Sequence, residues 1–485
     1  MAVVIFFLVS LLGVSFWHAK RAGSLFGYYL DERRMRGFVL AMTLVATYGS
    51  VSTFVSGPGL AWHYGLSWVV FASPQIITGF LILGVLGYKL SLISRQIGAV
   101  TVIDIIYARY RSRSVSVVTA VSTLIFFLAM MTAQFIGGAQ LLSYATGSGY
   151  GTGLVLFGIV TVIFTAFGGF RAVVLTDTIC AVLMLIGMFS LSFSLLDMGG
   201  GLKEISESIL ADSSAGPAFF TPDSGGKLSY GMLFSAWILV GFATVALPQS
   251  AVRCMAFKSL ADLRLAMVIG AAVCGALMLG MTFVGVLARA VVPDPSVFGG
   301  NTDSLIPYFI SHKMSPLLAG VTLVAPLAAT MSTVSSLLIS SSGTLICDLM
   351  GIKDAGHQKA GRAARCFTFA FGLLALFLAL WPIDLIAWIN LFAFGGLEIA
   401  YLAPLVIGLF WKKADARSAL ISVFSGFAVY AVCLLGKIHL FGMHAIVPAL
   451  AVSLAAFWVS GLFAKECRDP VFFPSASRAD PPGTS

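Results

Sequence analysis

The sequence predicts an all-α integral membrane protein, and three observations carry that prediction. Of 485 residues, 59% are hydrophobic and only 10% charged, with a mean hydropathy of +0.98, whereas a soluble domain carries about 25% charged residues. Apolar stretches long enough to cross a hydrocarbon core of about 30 Å, which takes about 20 helical residues, follow one another almost end to end. The basic residues alternate from loop to loop, as they do when one side of a membrane is cytoplasmic.

Thirteen spans are read, over residues 2–17, 37–62, 68–88, 114–145, 152–170, 173–197, 230–251, 263–292, 316–346, 363–381, 383–410, 417–435 and 443–465. The loops between them are too short to fold alone, so residues 1–472 form one transmembrane domain and residues 473–485, with the Pro481-Pro482 pair, a disordered cytoplasmic tail. Span 1 has no basic leading region and no small-residue cleavage site, and it is read as a retained helix rather than a signal peptide. The segments after odd-numbered spans hold 24 of the 29 basic residues, which places the N-terminus outside and the C-terminus inside. The net charge of +9 therefore follows from topology and calls for no nucleic-acid partner.

Several chemistries are excluded. The seven cysteines are odd in number and lack CxxC spacing, and the six histidines form no HExxH pair. No GxxxxGK[ST] loop is present, so an enzyme or an ATP-driven pump is not expected, and no cofactor is implied. Gly147 to Gly153, GSGYGTG, has no strand before it and reads as a turn between spans 4 and 5. The longest loop, 198–229, is a connector with a short helix around Lys203 to Leu210.

The informative irregularities lie inside the spans. Span 2 contains Ala46-Thr47-Tyr48-Gly49-Ser50 and then Gly57-Pro58-Gly59, and span 7 contains Gly241 and Pro248. Interrupted helices at corresponding places in two halves point to a secondary transporter, because the break frees carbonyls and half-helix ends for ligands near the midplane. Spans 2 to 6 and 7 to 11 would then be two inverted five-helix repeats, about 37–197 and 230–410. Span 9 carries hydroxyls densely, Thr330, Ser332, Thr333, Ser335 and Ser336 among them. Such hydroxyls serve either as interhelical glue or, with carbonyls from an unwound partner, as neutral oxygen ligands for a hard cation such as sodium.

Five strings carry a resemblance: LAMTLVATYGSVSTFVSGPG (Leu40 to Gly59), TAFGGFRAVVLTDT (Thr165 to Thr178), LPQSAVRC (Leu247 to Cys254), APLAATMST (Ala325 to Thr333) and NLFAFGGLE (Asn390 to Glu398). In this order they resemble the sodium:solute symporter family, most closely its sodium/pantothenate branch. The resemblance implies a LeuT-type 5+5 core with one leading and two trailing helices, sodium as the coupling ion, and pantothenate or a similar small carboxylate as cargo. It further implies carbonyl ligands for sodium from Ala46, Gly49 and Ala329 and hydroxyl ligands from Ser332 and Thr333. Some relatives carry an aspartate near the position of Tyr48, and this chain does not.

For the cargo, the candidates are the polar side chains of the core spans: Ser50, Thr53, Gln75, Gln134, Trp237 and Thr244. Glu398 is the acid read deep within a span, and an intramembrane acid is a functional candidate. Arg171 and Arg253 are read as anchors or gates at span ends. The expected activity is sodium-driven import by alternating access across a bacterial-type inner membrane, with no obligate protein partner. A symporter for an amino acid such as proline is the alternative within transport, and a membrane sensor or a channel the alternative outside it.

Overall fold

A computed structural model describes residues 2–19, 29, 35–352, 357–382 and 384–473, and the tail read over 473–485 lies outside them beyond residue 473. Among the described residues every regular element is a helix, and there is no strand beyond an isolated bridge between Met35 and Phe257. Its elements are α1 (Ala2–Ala19), α2 (Gly37–Tyr48), α3 (Ser52–Tyr64), α4 (Leu66–Ile97), α5 (Val102–Tyr110), α6 (Arg113–Thr146) and α7 (Tyr150–Met198). After the connector helix α8 (Leu202–Ala211) come α9 (Tyr230–Ala246), α10 (Pro248–Cys254), α11 (Leu260–Val291), α12 (Leu305–Lys313) and α13 (Pro316–Leu349). Helices α14 (His357–Leu378), α15 (Ile386–Phe410), α16 (Ala416–Leu435) and α17 (Ile446–Leu462) complete the chain.

Eight described helices are long and apolar enough to cross a membrane, and ten if α2 with α3 and α9 with α10 each count as one bent span. The thirteen spans read from sequence differ from this at three helices. Helix α7 counts once although its backbone leaves helical geometry at Gly169 (φ 67°, ψ −179°), and α1 and α17 are shorter apolar helices. Phe6, Phe193 and Val268, each at least 68% exposed, belong to an outer apolar surface of the kind that lipid covers.

The spans divide by burial. The most apolar windows of α13 and α15 are 78% buried, against 22% for α14, so α13 and α15 form the interior and α14 the periphery. Helix α7 packs on α13, α6 and α1, α11 packs on α2 and α3, and α15 packs on α6. Small residues permit the closest of these approaches. A Cβ added to Gly285 on α11 would stand 2.1 Å from the carbonyl oxygen of Pro58, a backbone atom of α3 that cannot swing aside. Gly285→Ala is therefore expected to cost about 1–3 kcal/mol, read as a lowered thermal midpoint of the detergent-purified protein. Gly361→Ala, which meets nothing within 4 Å, is the matched control and should not lower it.

The connector is anchored to the bundle at one end of this contact. Arg289 donates to Asp212 Oδ2 from Nε at 3.0 Å and from Nη2 at 2.7 Å, and its guanidinium lies 4.3 Å over the Trp62 ring. Desolvation alone would raise the Asp212 carboxyl, but hydrogen bonds from Ser214 and Arg289 outweigh it and hold the group at about 2. The helix expected around Lys203 to Leu210 is α8, and Gly147 takes a left-handed turn (φ 68°) between α6 and α7.

Candidate functional site

The breaks in the two bent spans have local causes. Helix α2 ends where Gly49 becomes extended (φ −64°, ψ 104°), and the chain resumes as α3 at an angle of 65°. Pro248 lacks an amide hydrogen, Gly241 leaves helical geometry (φ −107°, ψ −95°), and α9 meets α10 at 46°.

The first break releases carbonyls. In a continuous helix Ala46 O would accept the Ser50 amide and Gly49 O the Thr53 amide. Instead the Ser50 amide turns to Thr53 Oγ1 at 3.3 Å and the Thr53 amide to Ser50 O at 3.0 Å. Helix α13 fills the gap with hydroxyls. Ser332 Oγ lies within donating reach of Ala46 O at 2.9 Å and Ala329 O at 3.0 Å, and Thr333 Oγ1 within reach of Gly49 O at 3.3 Å and Ala329 O at 3.0 Å. Ala46, Gly49, Ala329, Ser332 and Thr333 thus bring five neutral oxygens together, all of them in buried or nearly buried backbone and side chains. This is the donor chemistry that suits a hard, weakly held monovalent cation.

Beside the break lies a cavity of about 90 Å³. Ser50, Thr53 and Gln75 line it, as do Thr47, Ser52, Thr333 and Asn390, with Trp68, Phe71 and Phe394 as an aromatic wall. Trp68 and Phe71 stack with centroids 4.4 Å apart and planes within 8°. None of the lining residues is Asp, Glu, Lys or Arg.

The other three cargo candidates do not line this cavity. Gln134 is fully buried behind the break, where its Oε1 accepts the freed Val51 amide at 2.9 Å, so its part is to cap α3. Thr244 donates to Gly241 O at 2.5 Å and repairs the second break. Trp237 is 43% exposed beside Phe242, because the wide turn over Trp237–Gly241 carries the ring to the outer surface, where an aromatic ring is at home in lipid. Sequence reasoning passed over Trp68, Phe71, Phe394 and Asn390. The aromatics gave no signal, but Asn390, the polar residue that opens NLFAFGGLE inside an apolar span, did.

Two expectations about charge are corrected. Glu398 is fully buried on α15 with neither carboxyl oxygen hydrogen-bonded, and it does not line the cavity. It is not alone at depth, because Asp177 on α7 is also fully buried. Nor is Arg253 an interfacial anchor, being 2% exposed and paired with Asp177 Oδ2 at 3.1 Å. Arg253 also donates to Thr43 Oγ1 at 3.1 Å, Gln249 O at 2.7 Å and Ser336 Oγ at 2.8 Å, while Thr43 Oγ1 donates to Asp177 Oδ2 at 2.7 Å. The pair ties α2, α7, α10 and α13 together about one helical turn from the five oxygens, since Thr43 precedes Ala46 by three residues and Ser336 follows Thr333 by three. The positions were visible in sequence, but their meeting across 76 residues was not. Arg171 is exposed, as an anchor would be.

Comparison with known proteins agrees with this architecture. A sodium-coupled sialic acid symporter, in a substrate-bound outward-open state, superposes with a TM-score of 0.82 over 96% of this chain and 98% of its own, at 19% identity. MhsT in complex with L-phenylalanine gives a TM-score of 0.54 over 88% and 97%, at 15% identity. At these identities the likeness establishes the fold, which is LeuT-type. In sequence, the sodium/pantothenate symporter of Escherichia coli (strain K12) is 41% identical over 94% of this chain and 95% of its own length. That of Haemophilus influenzae is 41% identical over 89% of each, and an osmoregulated proline transporter of Bacillus subtilis is 25% identical over 95% and 94%. Residues 28–426 match the sodium:solute symporter family, and with these relatives over nearly its whole length the chain belongs to that family of membrane transporters.

Proposed function

We propose that the protein is a sodium-coupled symporter that imports pantothenate by alternating access. The observation that carries this reading is the meeting of five neutral oxygens with an uncharged, partly aromatic cavity at one helix break. Sodium is held by the carbonyls of Ala46, Gly49 and Ala329 and the hydroxyls of Ser332 and Thr333, and the cargo occupies the adjoining cavity against Ser50, Thr53 and Gln75. Because Thr333 belongs both to the oxygen cluster and to the cavity wall, ion and cargo stabilise the same arrangement of α2 and α13, which is what coupling requires.

The relatives at 41% identity act on pantothenate by name, and the cavity favours the same cargo over an amino acid. An amino acid brings an ammonium group, and none of the lining side chains is acidic. Pantothenate brings a carboxylate, hydroxyls and an amide, which hydroxyl and carboxamide side chains can match. Neutral ligands also let the ion leave, as a transport cycle demands.

The topology completes the proposal. Counting the halves of α7 separately and adding α1 and α17 gives thirteen spans, with repeats over about 37–197 and 230–410 inside one domain spanning 1–472. The N-terminus lies outside and the C-terminus inside a bacterial-type inner membrane, by the distribution of 24 of 29 basic residues. Uptake of radiolabelled pantothenate into proteoliposomes is expected to rise at least tenfold on replacing external choline with sodium. Equal uptake in the two salts would refute sodium coupling, and sodium-driven uptake of proline but not pantothenate would refute the cargo.

A further inference from the structure

We infer that Asn390 reads the cargo, its side-chain carbonyl accepting a hydrogen bond from an uncharged donor of the substrate, a hydroxyl or an amide N–H. The inference rests on the pantothenate reading and deepens it. Asn390 lies on α15, one turn from its start, is 5% exposed, and lines the cavity beside the break between α2 and α3. Its Nδ2 donates to Ser52 Oγ, which fixes the amide plane. That leaves Oδ1 buried without a hydrogen-bond partner in the protein. A buried amide oxygen is rarely left in that state, because the group loses water and gains nothing in return.

The hydroxyls of the same wall show why this acceptor matters. Thr47 Oγ1 spends its hydrogen on Thr43 O at 2.8 Å and Thr282 Oγ1 on Met278 O at 2.6 Å. Ser50 Oγ and Ser52 Oγ already accept, from the Ser52 amide at 3.2 Å and from Asn390, so what they have left to offer is mainly their hydrogens. Hydroxyl hydrogens suit a carboxylate or carbonyl of the cargo. Asn390 Oδ1 supplies a complementary acceptor, buried and unpartnered beside the Gln75 carboxamide in the same wall, and it is held on α15 while the hydroxyls sit on the α2–α3 break. A cargo with an acceptor at one end and an uncharged donor elsewhere can therefore bridge the two elements, whereas one without the donor strands the amide oxygen. Sites built to bond a substrate hydroxyl or N–H discriminate strongly against analogues that lack it.

The test is a cycle of residue against ligand group. Sodium-driven uptake of labelled pantothenate is competed with three analogues, two with one hydroxyl each replaced by hydrogen and one with the amide N-methylated. In the unaltered protein at least one analogue should compete about 10- to 100-fold more weakly than pantothenate. Asn390→Ala should weaken pantothenate by a comparable factor and leave that analogue nearly unchanged, so the discrimination collapses toward unity. Asn390→Asp, which keeps an acceptor in place, should retain the discrimination even though its added charge weakens binding of the anion. Collapse in Asn390→Ala with retention in Asn390→Asp supports the assignment. Full discrimination against every analogue in Asn390→Ala, or no discrimination in the unaltered protein, overturns it while the transport reading stands. If the unaltered protein takes up no pantothenate with sodium, that reading fails and this one with it. Should Asn390→Ala not fold, Ser52→Ala releases the amide plane and is expected to lower the same discrimination, and an unchanged value there overturns the assignment.

Discussion

Replacing Arg253 with alanine is expected to destabilise the folded protein by about 3–5 kcal/mol, the cost of stranding one partner of a buried ion pair. Arg253 and Asp177 are 2% and 0% exposed, so solvent screening offers no relief. Removing the guanidinium leaves the Asp177 carboxylate with the Thr43 hydroxyl, and its Oδ1 has no hydrogen-bond partner even in the intact protein. Ser336 Oγ and Gln249 O lose their donor as well, and they lie on α13 and α10. The loss should appear as a lower denaturant midpoint for purified protein and a smaller monodisperse yield. Asp177→Asn alone should also destabilise, because it strands the arginine. The double change Asp177→Asn with Arg253→Met should recover much of the loss, since neither position then holds a buried, unpaired charge. A single Arg253→Ala variant within about 1 kcal/mol of the parent would mean that water reaches the pair.

The pair also has a place in transport. It joins the two bent spans to α7 and α13 about a helical turn from the five oxygens, so movement of α10 against α2 must either carry the pair along or break it. Under the proposed cycle, the double variant should fold yet transport slowly. Stability and uptake would then separate, which a purely structural pair would not allow.

What was legible in the sequence follows from what a bilayer rewards. Length and lack of charge marked the spans, because each backbone group must be satisfied within its helix. Gly49 and Pro248 marked the breaks, because they are where that rule is relaxed, and Ser332 and Thr333 stood out as paired hydroxyls. Which face of a span points inward was not legible. In a soluble helix polar and apolar faces separate, but a span is apolar all round, so Trp68 against the cavity and Trp237 against lipid look alike in sequence. Partnership was hidden for a different reason. Gln134 looked like a ligand for cargo and instead caps the Val51 amide 83 residues away, and Arg253 looked interfacial because nothing near it in sequence reveals Asp177. Polar residues within spans thus announce that they have a partner without saying which.

The oxygen cluster allows the sharpest prediction about coupling. Ser332→Ala combined with Thr333→Ala is expected to raise the sodium concentration for half-maximal uptake by about tenfold or more, each tenfold being about 1.4 kcal/mol. The double change deletes two of the five oxygens and leaves the carbonyls of Ala46, Gly49 and Ala329, which are backbone and survive any substitution. The fold should tolerate it. Ser332 Oγ and Thr333 Oγ1 bond only to carbonyls, two on the α2 break and one, Ala329 O, within α13, and Ala is the better helix former at both positions. The effect should also be specific in form: the maximal rate at saturating sodium stays within a few-fold, while the sodium dependence moves. Single variants separate the two hydroxyls, because Thr333 lines the cargo cavity and Ser332 does not. Thr333→Ala should therefore shift the half-saturating concentrations of both sodium and pantothenate, whereas Ser332→Ala should shift sodium and alter pantothenate only at subsaturating sodium. By linkage, the two ligands must change each other's affinity by the same factor, so a sodium shift in Ser332→Ala that vanishes from the pantothenate curve as sodium saturates is the expected signature. An unchanged sodium curve in the double variant would remove both hydroxyls from the ion's shell and reduce their part to holding α13 against the α2 break.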